Sequence, residues 1–196
     1  FCHQHPHVQL RVTALGSDRA LKVLKDGLVD IAIVMDNRMF TASPELVVQN
    51  LYQEPIKILM SSQHPLTQYA QVPWAELVKY PQVVFKDGYG MQRLVQEQFN
   101  KQGSQLQAVL ELNTLDAFRG VVRQGELLAL LPKSALLDVN HDPTLAVRSI
   151  EPTLQTGIQL SRQVVLVTSS DRLQLPPVQF FCDLVTKLCP QSIDGE

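Results

Sequence analysis

The spacing of apolar and polar residues changes period several times along the chain, and each change marks an element. Val8–Val12 (VQLRV) alternates at period two, the pattern of a strand with one buried face. Gly16-Ser17-Asp18 offers a turn and an N-cap for a helix over Arg19–Lys25. Ala20, Leu21, Val23 and Leu24 give that helix an apolar stripe, and Gly27 ends it as a left-handed residue would. Asp30–Met35 is then a continuous β-rich run, which predicts a strand covered on both faces. Strand, helix and strand compose a βαβ unit. Leu46–Leu51 and Pro55–Met60 are two further extended stretches separated by Gln53-Glu54. Ser61–Pro65 is polar and closed by proline, a loop suited to a hinge or domain crossing.

Beyond that loop the pattern restarts. It predicts a short helix over Trp74–Tyr80, a strand over Gln82–Lys86, a glycine loop at Asp87–Gly90 and a helix over Met91–Lys101 with Leu94, Val95, Gln98 and Phe99 on one face. A strand over Gln107–Leu112, a helix over Thr114–Arg123 closed by Gly125, and a buried strand over Leu127–Leu131 follow. Ala146–Ile150 and Gln163–Thr168 are two more strands, and Pro176–Cys189 is a terminal helix with proline in its first turn. Two runs of alternating strands and helices predict an α/β architecture with largely parallel sheets.

Composition narrows the function. The 196 residues are 45% apolar and 18% charged, values of a globular chain with a sizeable core. With 17 Lys+Arg against 19 Asp+Glu, the chain lacks the basic surplus that general affinity for nucleic acid requires. The longest apolar runs, Ile31–Met35 and Leu127–Leu131, fall far short of the roughly 20 residues that span a bilayer, so no membrane partner is expected. Phe1–Val12 does not read as a signal peptide, and three cysteines without a CxxC pair suit a reducing cytoplasm.

Candidate chemistry is sparse. The His3, His5, His7 alternation puts three imidazoles on one side of a strand as metal ligands, or belongs to an unstructured terminus beside Pro6; no carboxylate or cysteine partner lies nearby, and no metal is expected. Cys182 and Cys189 share one helix face and read as small apolar residues. Gly88-Tyr89-Gly90 sits between strand and helix, but Arg93 stands where a dinucleotide fingerprint needs a third glycine. What remains is a helix start whose backbone N–H groups, with Gln92 and Arg93 beside them, hold a small anion, or else a solvated loop. Ser17 and Asn113-Thr114 occupy equivalent helix starts, where ligands bind in open α/β sheets and where caps are also common. The motifs GxSxG, HExxH and the P-loop are absent, and no catalytic residue is assigned.

Four segments carry a resemblance in order: VQLRVTALGSDRALKVLKDGLVDIAIV, LYQEPIKILMSSQHPL, WAELVKYPQVVFKDGYGMQRLVQEQF and VLELNTLDAFRGVVRQGELLALLPKSAL. Together they resemble the effector-binding domain of LysR-type transcriptional regulators, from His5-Pro6-His7-Val8 to the final helix. The resemblance implies two Rossmann-like subdomains of periplasmic-binding-protein type, residues 1–62 with 167–196 and residues 63–166. The two crossovers would fall near Ser61–Leu66 and Val165–Ser170. It further implies that one strand and one helix precede this segment in the family, an N-terminal truncation of the first subdomain.

An effector would sit in the cleft between subdomains. Carried over by position, Ser17, Asn37, Arg38, Gly88, Tyr89, Gly90, Met91, Gln92, Arg93, Asn113 and Thr114 would face it. The resemblance implies no cofactor beyond a small anionic effector, and its carbon/nitrogen-assimilation branch in photosynthetic bacteria points to 2-oxoglutarate or a phosphorylated carbon metabolite. Partners would be that effector, further copies in a homodimer or homotetramer, and DNA only through a helix-turn-helix that this segment lacks. A solute-binding protein that feeds a transporter is the alternative on the same fold, and an α/β enzyme of similar architecture a third. The upstream sequence would discriminate the first two.

Overall fold

The computed structural model describes residues 1–36, 43–153 and 157–189. The chain forms two compact units, Phe1–Gln53 with Gln163–Glu196, and Glu54–Arg162. The chain passes between them twice, inside two long strands, β2 (Leu46–Ser61) and β8 (Ser161–Ser169). The two stretches expected to be separated at Gln53-Glu54 are thus one continuous strand. The division falls within it, earlier than the loop at 61–66, and on the return strand earlier than 165–170. The polar loop marks a local reversal: the His64 imidazole Nδ1 accepts the Leu66 N–H at 3.1 Å and starts a single 3₁₀ turn over Pro65–Gln68.

In the first unit, β8 lies between β1 (Ile31–Met35) and the first part of β2, and β1 runs antiparallel to it, Ile31 opposite Thr168 and Met35 opposite Val164. Side chains alternate across β8. Val165 and Val167, with Ala32 and Val34, pack on Leu21 and Leu24 of α1 (Ser17–Lys25). Val164 and Leu166, with Leu51, pack on Val178 and Cys182 of α5 (Pro176–Leu188). Gly27, at φ +69°, closes α1: its N–H donates to Leu24 O, and Leu28 N–H donates to Val23 O, the two bonds of a Schellman ending.

Three expectations for this unit are corrected. Val8–Val12 forms no strand, and Leu10 and Val12 are exposed: alternation supplies a face, but a strand also needs a hydrogen-bonding neighbour. The βαβ unit predicted from it is therefore missing its first strand. Asp30–Met35 is not covered on both faces, because β1 ends the sheet and leaves Ile33 49% exposed. For His3, His5 and His7 the terminal reading holds rather than the strand: residues 1–7 are a series of turns, and the His5 ring stacks on Phe180 of α5 at 5.2 Å.

In the second unit, β2 is flanked by β6 (Ala129–Pro132) and β7 (Leu145–Ile150), both antiparallel to it, and β3 (Gln71–Val72) is parallel to β7. The sheet is mixed rather than largely parallel, since β2 enters from the other unit as a strand and not from a crossover helix. Ile56, Ile58 and Met60 are fully buried on one face of β2; Leu59 on the other joins Val83, Phe118, Val122 and Leu131. Trp74, in the short helix α2 (Trp74–Leu77), meets Phe99 edge-on at 6.1 Å. Helix α3 (Gly90–Lys101) buries Met91, Val95 and Phe99, four residues apart, while Leu94 and Gln98 are only half-buried.

Burial takes the His64 imidazole out of water and draws its pKa below the ordinary value, with Glu126 opposing more weakly. The folded state then holds the ring neutral while the unfolded chain protonates near pH 6.5, so this stability is complete above that pH and is lost as pH falls through the folded pKa. Thermal melts from pH 7.5 down to 5 should show falling stability, and His64→Asn, which keeps an acceptor for Leu66 N–H, should flatten that dependence. Equal slopes for both proteins would refute the assignment.

Candidate functional site

Two helix starts meet at one edge of the second unit. Strands β4 (Gln82–Phe85) and β5 (Ala108–Leu112) are parallel and in register at their carboxyl ends, Phe85 opposite Leu112, with Lys86 N–H donating to Leu112 O at 3.0 Å. The chain leaves β4 through Asp87-Gly88-Tyr89 into α3, and leaves β5 through Asn113-Thr114 into α4 (Leu115–Val122). Because the strands are neighbours, the N-termini of α3 and α4 open at the same side.

The linking loop is built for a tight turn. Gly88 has φ +85°, a conformation that a β-carbon disfavours, and its N–H donates to the Asp87 carboxylate at 2.9 Å. The Tyr89 ring stacks on Phe85 at 5.4 Å, and Phe85 lies against fully buried Phe118 at 4.7 Å, so aromatic packing holds the start of α3 on the core. Tyr89 stands at the N-cap and no side chain caps the helix; no acidic residue occupies its first turn. The helix dipole and first-turn N–H groups therefore present positive potential. Met91 is buried, so only its backbone is available; Gln92 and Arg93 are half-buried.

The other predicted residues are placed as follows. Thr114 is the N-cap of α4 and makes no side-chain capping bond; it and Asn113 are exposed. Asp116 sits in the first turn of α4, which makes that end less favourable to an anion than the end of α3. Ser17 belongs to the other unit. There Gly16, not Ser17, stands at the N-cap of α1, and Ser17 is the first helical residue, half-buried. Asn37 and Arg38 lie outside the described residues.

Two features of the second unit escape a linear reading. A depression of about 290 Å³ is lined by Asp116, Arg119, Arg123, Asp138 and Asp142. Arg119 pairs there with Asp116 and Arg123 with Asp142, and the Thr144 hydroxyl and amide, then Arg123, lower the Asp142 carboxyl pKa to about 2. The other is fully buried Glu54, which binds Arg162 and Ser134. Its partners lie 108 and 80 residues away, and the only sequence signal is a charge interrupting an apolar strand.

Comparisons with known proteins give the family and the fold. The family model described as LysR substrate binding domain matches residues 1–190. The chain is 50% identical over 196 residues to a probable nitrogen assimilation transcriptional activator of Synechococcus elongatus, covering 100% of this chain and 60% of that protein. It is 51% identical over 186 residues to the protein of the same description in Synechocystis, covering 94% and 60%. The chain thus spans 60% of the length of these relatives. Among solved structures, the Synechocystis CcmR regulatory domain in complex with 2-PG superposes with a TM-score of 0.82 at 16% identity, covering 96% of this chain and 86% of that one. The effector binding domain of QuiR in complex with shikimate gives 0.76 at 18% identity, over 89% and 78%. At these identities the structures speak to fold.

Proposed function

The chain belongs to the LysR substrate-binding domain family, and from that premise we propose that it is the sensory part of a DNA-binding transcriptional activator of nitrogen or carbon assimilation. It senses a small anionic metabolite and does not transform it. The observation that carries this reading is the pair of uncapped helix N-termini, α3 and α4, side by side at the carboxyl ends of parallel β4 and β5. Such an edge is where open α/β sheets take ligands, and N–H groups without a capping side chain suit carboxylate or phosphate oxygens. Arg93 supplies a positively charged side chain in the first turn of α3.

Backbone N–H groups of Gly90 and Met91, with Gln92 and Arg93, hold the acidic end of the effector. Asn113 and Thr114 orient the polar remainder. The description of the relatives as probable nitrogen assimilation activators favours 2-oxoglutarate or a phosphorylated carbon metabolite as the class. Binding acts as a population shift: the effector alters a cytoplasmic dimer or tetramer only as far as its affinity differs between arrangements, and DNA contact belongs to a separate part of the protein.

Titration calorimetry with 2-oxoglutarate and with phosphorylated short-chain carboxylic acids tests this. At least one should bind, and Arg93→Ala should weaken it about 10- to 100-fold, the worth of one charge-assisted hydrogen bond. No binding of any such anion, or an Arg93→Ala variant with wild-type affinity, would overturn the reading.

A further inference from the structure

Glu54 and Arg162 are the residues at which the chain enters and leaves the second unit. The Glu54 carboxylate is fully buried. Its Oε1 accepts from Arg162 Nε at 2.8 Å, from Arg162 Nη2 at 2.7 Å and from the Ser134 hydroxyl at 3.2 Å, while Oε2 accepts the Ser134 backbone N–H at 2.8 Å. Ser134 lies two residues past the end of β6, in the 3₁₀ turn Lys133–Leu136. One carboxylate therefore joins both crossing strands to the turn that follows a third strand. A backbone bond continues the join inward, Ile56 N–H to Leu160 O at 2.8 Å.

The first unit has its own clasp one residue further out. The Gln163 side-chain amide donates to Tyr52 O at 3.0 Å and to Val164 O at 3.1 Å, and Gln163 O accepts Asp36 N–H. A buried ion pair adds little stability over an apolar replacement, so its value here is in specifying where the strands are held.

We propose that Glu54 is a strand-positioning residue: through Arg162 and Ser134 it fixes β2 and β8, where they enter and leave the second unit, against the turn that follows β6. Nothing in this depends on which ligand the chain takes. The outcome is thus separate from that of the anion titrations.

Hydrogen–deuterium exchange on the whole, ligand-free chain tests it. In Glu54→Gln, peptides covering 50–58 and 158–166 should exchange about tenfold faster, while those covering α4 and β6 keep wild-type rates. Ser134→Ala leaves both charges in place and should give the same pattern at about threefold, which keeps the test decisive if Glu54→Gln fails to fold. Uniformly faster exchange across the second unit would reduce Glu54 to an ordinary core contact. Unchanged exchange at either crossing strand would overturn the proposal as well.

Discussion

Phe118→Ala should cost about 3–5 kcal/mol of stability and weaken effector binding with it. Phe118 is fully buried on α4 among Leu59, Val83, Val122, Ala129 and Leu131, a setting in which removing a ring leaves a cavity that neighbours cannot fill. The same ring supports Phe85 at 4.7 Å, and Phe85 supports Tyr89 at 5.4 Å at the start of α3. Its loss frees both helix starts of the candidate site, one on its own helix and one through the aromatic stack. Denaturant unfolding gives the stability term, and calorimetry well below the transition gives the affinity of the folded variant. A stability loss under about 1 kcal/mol with unchanged affinity would show that the stack does not hold the site.

Leu166→Ala should be nearly as damaging to stability, about 2–5 kcal/mol, and leave binding alone. Leu166 is 1% exposed and packs with Leu51, Val164, Val178 and Cys182 beneath α5. Its neighbours in sequence, Val165 and Val167, face the opposite way and carry α1, so the seat of Ser17 is untouched. The pair of variants separates packing that holds the site from packing that only holds a unit. An affinity loss in Leu166→Ala comparable to that of Phe118→Ala, measured under conditions where both are folded, would contradict that separation.

Elements whose signal is local were legible in the sequence. Gly27 ends α1 because its left-handed backbone lets its own N–H and that of Leu28 donate back to Leu24 O and Val23 O, and Pro176 opens α5 because a first-turn N–H has no intrahelical partner to lose. The run at Leu127–Leu131 predicts a buried strand, and β6 is buried throughout. The loop expected at Asp87–Gly90 is one residue shorter, with Gly90 opening α3, and the helix expected from Thr114 begins at Leu115 with Thr114 as its N-cap. Val8–Val12 and Ile33 were misjudged because pairing and coverage depend on neighbours that local pattern does not name. The hinge was sought at a polar loop, and the unit boundary lies instead inside a strand.

The sequence by itself determined the family and most of the order of elements, since caps, turns and apolar periods act over a few residues. Only the tertiary structure decided that α3 and α4 open side by side, that Phe118 underpins both, and that Glu54 gathers Arg162 and Ser134 at the two crossings. Those are contacts between residues tens to more than a hundred positions apart. Strand register and the exclusion of water from a buried charge select them, and neither leaves a mark at any one position in the chain.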